Sequence, residues 1–224
     1  MKKTIYTIIV CMLAISAKAQ IGYNYSQYDF GVGVANTKLF SDFAKAKGRY
    51  AFNASFSYNK TPFVNFIAEL QVGSMATDTL SLLGSPINFT NDFSSLGFRA
   101  QIQAGELMDY SHSAFKNALK NFYISAGIGV IYNDFKYYDT GVIYQEDKNS
   151  NVFIPVKAGY EFKIFNSYNE PNTKVDIGYQ LNYLMTDNFD TIRYGKYNDA
   201  FGQWVLSLKF AIGGSTSYRK QINY

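Results

Sequence analysis

In the stretch "RYAFNASFSY" every second residue is aromatic or alanine. Tyr50, Phe52, Phe56 and Tyr58 alternate with small or polar residues such as Asn53. Side chains of a β-strand point alternately to its two faces, so this pattern predicts a strand with one apolar and one polar face. Such a strand fits a soluble sandwich, whose core receives the apolar face. It also fits a membrane barrel, whose apolar face meets lipid.

The same alternation recurs along the chain and predicts eight strands. They cover residues 28–40, 49–58, 64–73, 95–105, 122–133, 153–164, 174–184 and 201–213. Runs of this length exceed the roughly five or six residues of a typical soluble strand and match the ~9 to 11 residues of a tilted transmembrane strand. The predicted fold class is therefore all-β, a closed antiparallel up-and-down transmembrane barrel with the even strand number of bacterial barrels. The first strand is the least regular, because Tyr23 and Tyr25 have the opposite parity, and we expect a bulge or a late start there.

The N-terminus has the composition of a secretory signal. Lys2 and Lys3 precede an apolar run over residues 5–15, and Ala17-Lys18-Ala19 precedes Gln20. The run is shorter than the roughly 20 residues that a transmembrane helix needs. We therefore predict a signal peptide over residues 1–19, a barrel domain over residues 20–213 and a polar tail over residues 214–224.

Removing the signal changes the charge balance and the chemistry available. The whole chain has 21 Lys and Arg against 17 Asp and Glu, or +4, and the signal holds three of the lysines, which leaves 18 − 17 = +1. No concentrated basic face remains, so binding of nucleic acid is not expected. The single cysteine, Cys11, departs with the signal, so no disulfide or cysteine-ligated metal is predicted, and no cofactor.

The connections predict which end of the barrel faces the cell surface. Short turns at residues 59–62 and 166–173 alternate with segments at residues 41–48, 74–91, 134–151 and 187–201, of which three are long. Short periplasmic turns and long outer loops are the outer-membrane pattern. One connection differs, because residues 106–121 place apolar side chains at helical spacing. We expect an amphipathic periplasmic helix there, which either covers the rim, lies along the membrane interface or docks a partner.

In its alternation and loop asymmetry the chain resembles the small eight-stranded outer-membrane barrels, the class of the OmpA transmembrane domain and OmpX, over residues 20–213. The "AKAQ" cleavage region resembles that of Bacteroidota barrels. The resemblance implies an outer-membrane location among outer-membrane lipid and lipopolysaccharide. It transfers no catalytic residue.

The inner face of such a barrel is predicted to carry charges. Eight strands enclose an interior that side chains just fill, so buried ions must pair. The inward charged set consists of Glu69, Arg99, Lys157, Glu161, Lys163, Lys174, Asp176 and Lys209. We expect Glu69 to meet Arg99 and Lys163 to meet Asp176, and an arginine in place of Gln103 to be tolerated. The set is interpreted as a packed polar plug or, alternatively, as a proton or ion pathway.

Candidate catalytic residues are few. His112 is the only histidine and lies between Ser111 and Ser113. Adjacent side chains diverge on a helix and on a strand, so this Ser-His pair lacks the geometry of a nucleophile and its base. We expect no enzyme, no catalytic centre and no metal site. The expected role is structural, adhesive or ligand-binding, through Tyr- and Asp-rich outer loops at residues 134–151 and 187–201 that contact a surface ligand or protein. The alternatives are a barrel-embedded lipid-modifying enzyme and a soluble lipocalin-like periplasmic barrel.

Overall fold

The computed structural model describes seven parts of the chain. They are residues 22–40, 46–77, 80–82, 85–111, 113–139, 142–185 and 200–219. The predicted signal peptide, His112 and most of the predicted outer loop at residues 187–201 lie outside these residues.

Ten strands and two short helices make up the described chain. The strands are β1 Gly22–Phe40, β2 Ala46–Lys47, β3 Arg49–Thr61, β4 Val64–Thr77, β5 Leu80–Leu82, β6 Ser85–Gln103, β7 Phe122–Asp139, β8 Val142–Phe165, β9 Pro171–Leu184 and β10 Ala200–Arg219. The helices, both in the connection between β6 and β7, are α1 Ala104–Leu107 and α2 Ala114–Leu119.

The eight long strands close into a barrel. Each pairs antiparallel with the next long strand, β4 with β6 across the short β5, and β10 pairs with β1 to complete the circle. The short strands β2 and β5 only extend the pairing of β4 and β6. The predicted closed antiparallel barrel of eight strands is confirmed, and closure leaves its long strands without a free edge.

The two faces of the barrel wall have opposite chemistry. Phe52, Phe98 and Ile128 point outward and are 63%, 56% and 57% exposed, whereas Arg99 and Lys157 point inward and are buried. A lipocalin-like barrel would turn its apolar face inward, so that alternative is wrong. No helix within the described ranges has the length and apolar character needed to cross a membrane.

A bulge reshapes the seam between β1 and β10. The register shifts between Ser26 and Tyr28, where a bulge was predicted, and Gly213 opposite has a φ of +84°, which an L residue rarely adopts. Beyond the shift, Tyr25 faces inward and contacts the ring of Tyr218. β10 continues to Arg219, six residues beyond the predicted end of the barrel domain at residue 213.

Two of the predicted outer loops are largely strand. β6 already begins at Ser85, and β7 and β8 leave only residues 140 and 141 between them. The loops predicted at residues 74–91 and 134–151 are therefore wrong in large part. The sequence resembles a loop here because the outward residues are polar once the strands leave the membrane, so the apolar alternation stops while the pairing continues.

The predicted amphipathic helix over residues 106–121 is also wrong. Two short helices replace it, and residues 108–111 and Ser113 between them are not helical. The side chain of Tyr110 reaches a buried position there, in contact with the ring of Phe63 at 5.6 Å. Tyr110 reaches this buried position from non-helical backbone, which interrupts the predicted helix.

Candidate functional site

The lower half of the lumen is the half nearer the short turns, and Asp176 of β9 is the centre of its charges. Its carboxylate accepts hydrogen bonds from Lys157 Nζ at 2.6 Å, Lys209 Nζ at 2.9 Å and the Tyr123 hydroxyl at 2.8 Å. Lys209 also donates to Glu161 at 2.8 Å. Four neighbouring strands, β7 to β10, thus meet on two buried carboxylates, and this ionic network fixes their inner faces together.

The predicted pair of Glu69 and Arg99 is present. Arg99 Nη2 lies 2.7 Å from Glu69 Oε2, and Nη1 donates to Gln180 Oε1 at 2.5 Å. Gln180 lies on β9, on the far side of the lumen from β4. The guanidinium of Arg99 therefore connects opposite walls of the barrel across the lumen.

The predicted pair of Lys163 and Asp176 is wrong. The pairing of β8 with β9 sets Lys163 opposite Lys174 and Glu161 opposite Asp176. Lys163 Nζ instead donates to Gln103 Oε1 at 2.8 Å and to the carbonyl of Pro62 at 2.6 Å. Because Gln103 also donates to Glu161 at 2.9 Å, it is a fully engaged linker and not a spare polar residue.

Sequence reasoning missed Asp29. It is buried and pairs with Lys174 at 2.5 Å, and Asn59 donates to the same carboxylate oxygen at 2.8 Å. Asp29 could have been found in the sequence because it alternates in phase with Gly31 and Gly33, which lie on the inner face of β1. The irregular start of that strand obscured this pattern. With Asp29 added, the network of the described chain holds four carboxylates and five cations. They are Asp29, Glu69, Glu161 and Asp176, and Arg99, Lys157, Lys163, Lys174 and Lys209.

The upper lumen contains a buried apolar cluster. The ring of Phe201 lies 6.0 Å from that of Phe93 and 6.4 Å from that of Phe153. This apolar cluster comprises Ala35, Leu39, Ala51, Met75, Phe93, Ile131, Phe135, Tyr137, Phe153, Leu184, Phe201 and Val205. A cavity of about 10 Å³ between Arg99, Gln180 and Phe153 has room for at most one water. The lumen is a packed interior.

The lower mouth is closed by a floor cluster of Tyr25, Phe63, Tyr110 and Tyr218. The Phe63 ring lies 5.9 Å from that of Tyr218, and Lys163 Nζ lies 4.7 Å from its centroid. A Cβ on Gly105 would come within 2.5 Å of the same ring, so only glycine fits at that position. The network therefore ends against aromatic rings and not against open solvent.

The outward apolar side chains of the wall form an apolar belt around the barrel. Above this belt, parts of β6, β7 and β8 form a raised sheet over residues 85–94, 133–139 and 142–151. On its inner face an amide ladder runs across the strands, with Asn91 donating to Asn133 at 2.8 Å and Asn133 to Asn149 at 2.9 Å. These asparagines are buried or half-buried. The sequence predicted loops at Asn91 and Asn149 and a strand end at Asn133, whereas the three amides join the strands of the raised sheet.

The outer face of the raised sheet carries a groove of about 490 Å³. Asp92, Asp134 and Lys148 lie side by side on the three strands, and the row beneath is Ser94, Tyr132 and Ser150. This outer groove is lined by Asp92, Phe93, Ser94, Tyr132, Asn133, Asp134, Lys148, Asn149 and Ser150.

The charges of the outer groove are balanced and reachable from water. Lys148 lies 3.4 Å from Asp134, and Lys136 lies 3.5 Å from Asp92, whose hydrogen bond raises the pKa of the lysine. Within the described residues no group of three or more His, Cys, Asp or Glu could hold a metal ion. The groove offers carboxylates, ammonium groups, hydroxyls and one aromatic ring, which suit hydrogen bonding and stacking.

Comparisons with known proteins agree with this architecture. Neither a family model nor a curated protein matches the sequence. Among solved structures, Neisserial surface protein A matches with a TM-score of 0.50 and 15% identity, over 85% of this chain and 99% of that one. The attachment invasion locus protein Ail of Yersinia pestis matches with a TM-score of 0.49 and 15% identity, over 83% of this chain and 98% of that one. Ail has also been solved in complex with the heparin analogue sucrose octasulfate. In fold, the chain is a small eight-stranded outer-membrane β-barrel.

Proposed function

We propose that this barrel is a non-enzymatic surface-binding protein whose raised sheet presents the outer groove to a ligand at the cell surface. The main support for the proposal is the difference between the lumen and the raised sheet. The lumen is packed and closed at its lower mouth, so transport is disfavoured, whereas the strands continue as an ordered sheet beyond the membrane.

The length of β8 supports this arrangement. Its outward residues are mainly apolar from Val152 to Ile164, and a strand of this length tilted by ~45° crosses the roughly 25 Å apolar band of outer-membrane barrels. Residues 142–150 continue above it, and at a rise of ~3.3 Å per residue they add roughly 30 Å of strand. A pore needs no such extension. A binding surface gains reach and rigidity from it.

The lining of the outer groove indicates the class of ligand. Its volume lies within the roughly 300 to 1,000 Å³ of small-molecule sites. Tyr132 is 61% exposed, so its ring can stack on the apolar face of a sugar. Asp92, Asp134 and Lys148 can hydrogen-bond the hydroxyls and charged groups around it. We therefore infer that the ligand is an oligosaccharide.

A glycan array tests the proposal. The purified barrel in detergent is applied to immobilised neutral, carboxylated and sulfated oligosaccharides, together with Tyr132→Ala and the matched control Tyr183→Ala, which removes an outward tyrosine from β9. We expect wild-type binding to at least one class, a loss of roughly tenfold or more for Tyr132→Ala, the size seen for central aromatic contacts, and no change for Tyr183→Ala.

Two outcomes would overturn the proposal. One is a wild-type protein that binds no glycan, or whose binding Tyr132→Ala leaves intact. The other is a modified lipid A or phospholipid, detected by mass spectrometry only in cells that make the intact protein, which would establish an enzyme instead.

A further inference from the structure

The connection between β6 and β7 exposes large apolar side chains at the lower end of the barrel. Leu107 is 76% exposed, Phe115 is 72% exposed and Leu119 is 38% exposed. This end carries the short turns, and it is the periplasmic end in outer-membrane barrels. Contiguous exposed apolar side chains mark interaction surfaces.

A hydrogen bond shows that α2 lies on the outer rim of the barrel. The hydroxyl of Tyr160 donates to the carbonyl of Ala118 at 2.6 Å. Tyr160 has the outward parity of β8 and is paired with Phe122, which is 45% exposed on the lipid-facing wall. The helix is therefore attached to the side of the wall that meets lipid.

The opposite side of the same connection is attached to the barrel interior. Tyr110 is buried in the floor cluster, Asn117 of α2 is buried, and the amide of Gly105 donates to the carbonyl of Lys120 at 2.7 Å. α2 is thus held by one face, and the face with Phe115 and Leu119 continues the apolar belt of the wall below Phe122.

The charge on α2 suits a phospholipid surface. The helix contains Lys116, which is exposed, and no acidic residue. Helices that lie in a membrane interface combine basic residues with Phe and Leu on the inserted side. An ammonium beside inserted aromatic and aliphatic side chains can contact lipid phosphates.

We propose that Leu107, Phe115 and Leu119 insert into the periplasmic leaflet of the outer membrane, so that α2 is an interfacial anchor whose occupant is phospholipid. The anchor is at the opposite end of the barrel from the outer groove and acts independently of the proposed function. It fixes the depth of the barrel in the membrane through the Tyr160 hydrogen bond.

Tryptophan fluorescence in lipid nanodiscs tests this anchor. The only tryptophan, Trp204, is replaced by phenylalanine, and Phe115→Trp then reports on α2. One barrel in each disc removes contacts between copies. Acyl chains brominated near their middle quench tryptophans that enter the bilayer. We expect Phe115→Trp to lose at least about half its emission and to shift to shorter wavelength, because an interfacial helix buries its apolar face at the headgroup and acyl boundary.

The matched control is Ser217→Trp in the same Trp204→Phe background. Ser217 is exposed on the lower extension of β10, which is polar, and its tryptophan should remain unquenched. Heat-modifiable migration on gels verifies that each variant folds, and Leu107→Trp provides a second reporter. The anchor would be overturned if the tryptophans at positions 107 and 115 were both as unquenched as that of Ser217→Trp. That result would hold against it whether water or another protein covers the face.

Discussion

The lower and upper halves of the lumen are filled by different kinds of side chain. Below, the ionic network joins carboxylates to ammonium groups, as at Asp176. Above, the apolar cluster packs aromatic and aliphatic side chains around Phe201. Both halves exclude solutes, but the forces that hold them differ.

Ion pairs and apolar contacts differ in how strictly they depend on the positions of both partners. An ion pair in a buried interior is favourable only where each partner meets its counterpart, so the network allows few registers of the strands. Apolar contacts are non-directional and tolerate exchange of similar volumes. We infer that the lower half selects one strand register and that the upper half contributes burial once the register is set.

The largest expected effect comes from breaking the network at its centre. Asp176→Asn removes the negative charge that Lys157 and Lys209 share, so the buried Lys157 loses its ion pair and Lys209 keeps Glu161 alone. We expect a loss of about 3 to 5 kcal/mol in the free energy of unfolding, the usual cost of an uncompensated buried charge. Urea titration of the barrel in lipid vesicles measures it.

The matched control for this change is Asp92→Asn in the raised sheet. Asp92 is also paired with a lysine, because its carboxylate lies 3.5 Å from Lys136 Nζ, but it is exposed, so we expect little or no change in the free energy of unfolding. Equal losses for the two variants would show that the network contributes no more than a surface pair does. The inference that the lower half selects the strand register would then be wrong.

A smaller effect is expected in the upper half. Ile131 is fully buried in the apolar cluster, and Ile131→Val removes one methylene. We expect a cost of about 0.5 to 1.5 kcal/mol, with the slope of the urea transition unchanged, because the cluster can partly close the space. A cost as large as that of Asp176→Asn would mean that the upper half is as specific as the lower one.

The sequence predicted the faces of the wall better than the contacts within it. Alternation alone placed Phe52 and Ile128 outside and Arg99 inside, because a strand's period of two is dictated by backbone geometry. It could not predict that Asp29 meets Lys174, since these residues are 145 positions apart and come together only through closure of the barrel.

Local irregularities limited the prediction further. The bulge between Ser26 and Tyr28 changes the parity of β1, and the pairing of Lys163 with Lys174 sets the register of β8 and β9. Gln103 shows the consequence. From alternation it is a polar residue that tolerates arginine, but it accepts from Lys163 and donates to Glu161, so a cation there would disrupt the network.

Below both halves, Lys120 provides a test through the pH dependence of stability. It is buried in the floor with its Nζ 5.1 Å from the Tyr110 ring centroid, and burial lowers its pKa to about 8. The unfolded chain keeps a lysine pKa near ~10.4. Below pH ~8 both states are protonated and the folded state bears the full cost of burying the charge. Between about pH 8 and 10.4 only the unfolded state holds the proton, so stability rises with pH there.

Lys120→Met isolates this contribution, because methionine fills similar space without a titrating group. We expect the difference between the urea midpoints of wild type and Lys120→Met to shift in favour of wild type between about pH 7 and 9.5, by less than the change at Asp176. Other groups that titrate in this range act on both proteins and cancel in the difference. If the difference between the two urea midpoints stays constant with pH, the pKa of Lys120 is the same in the folded and unfolded states. The floor would then be open to water, and the closure of the lower mouth, on which the contrast between lumen and raised sheet depends, would have to be abandoned.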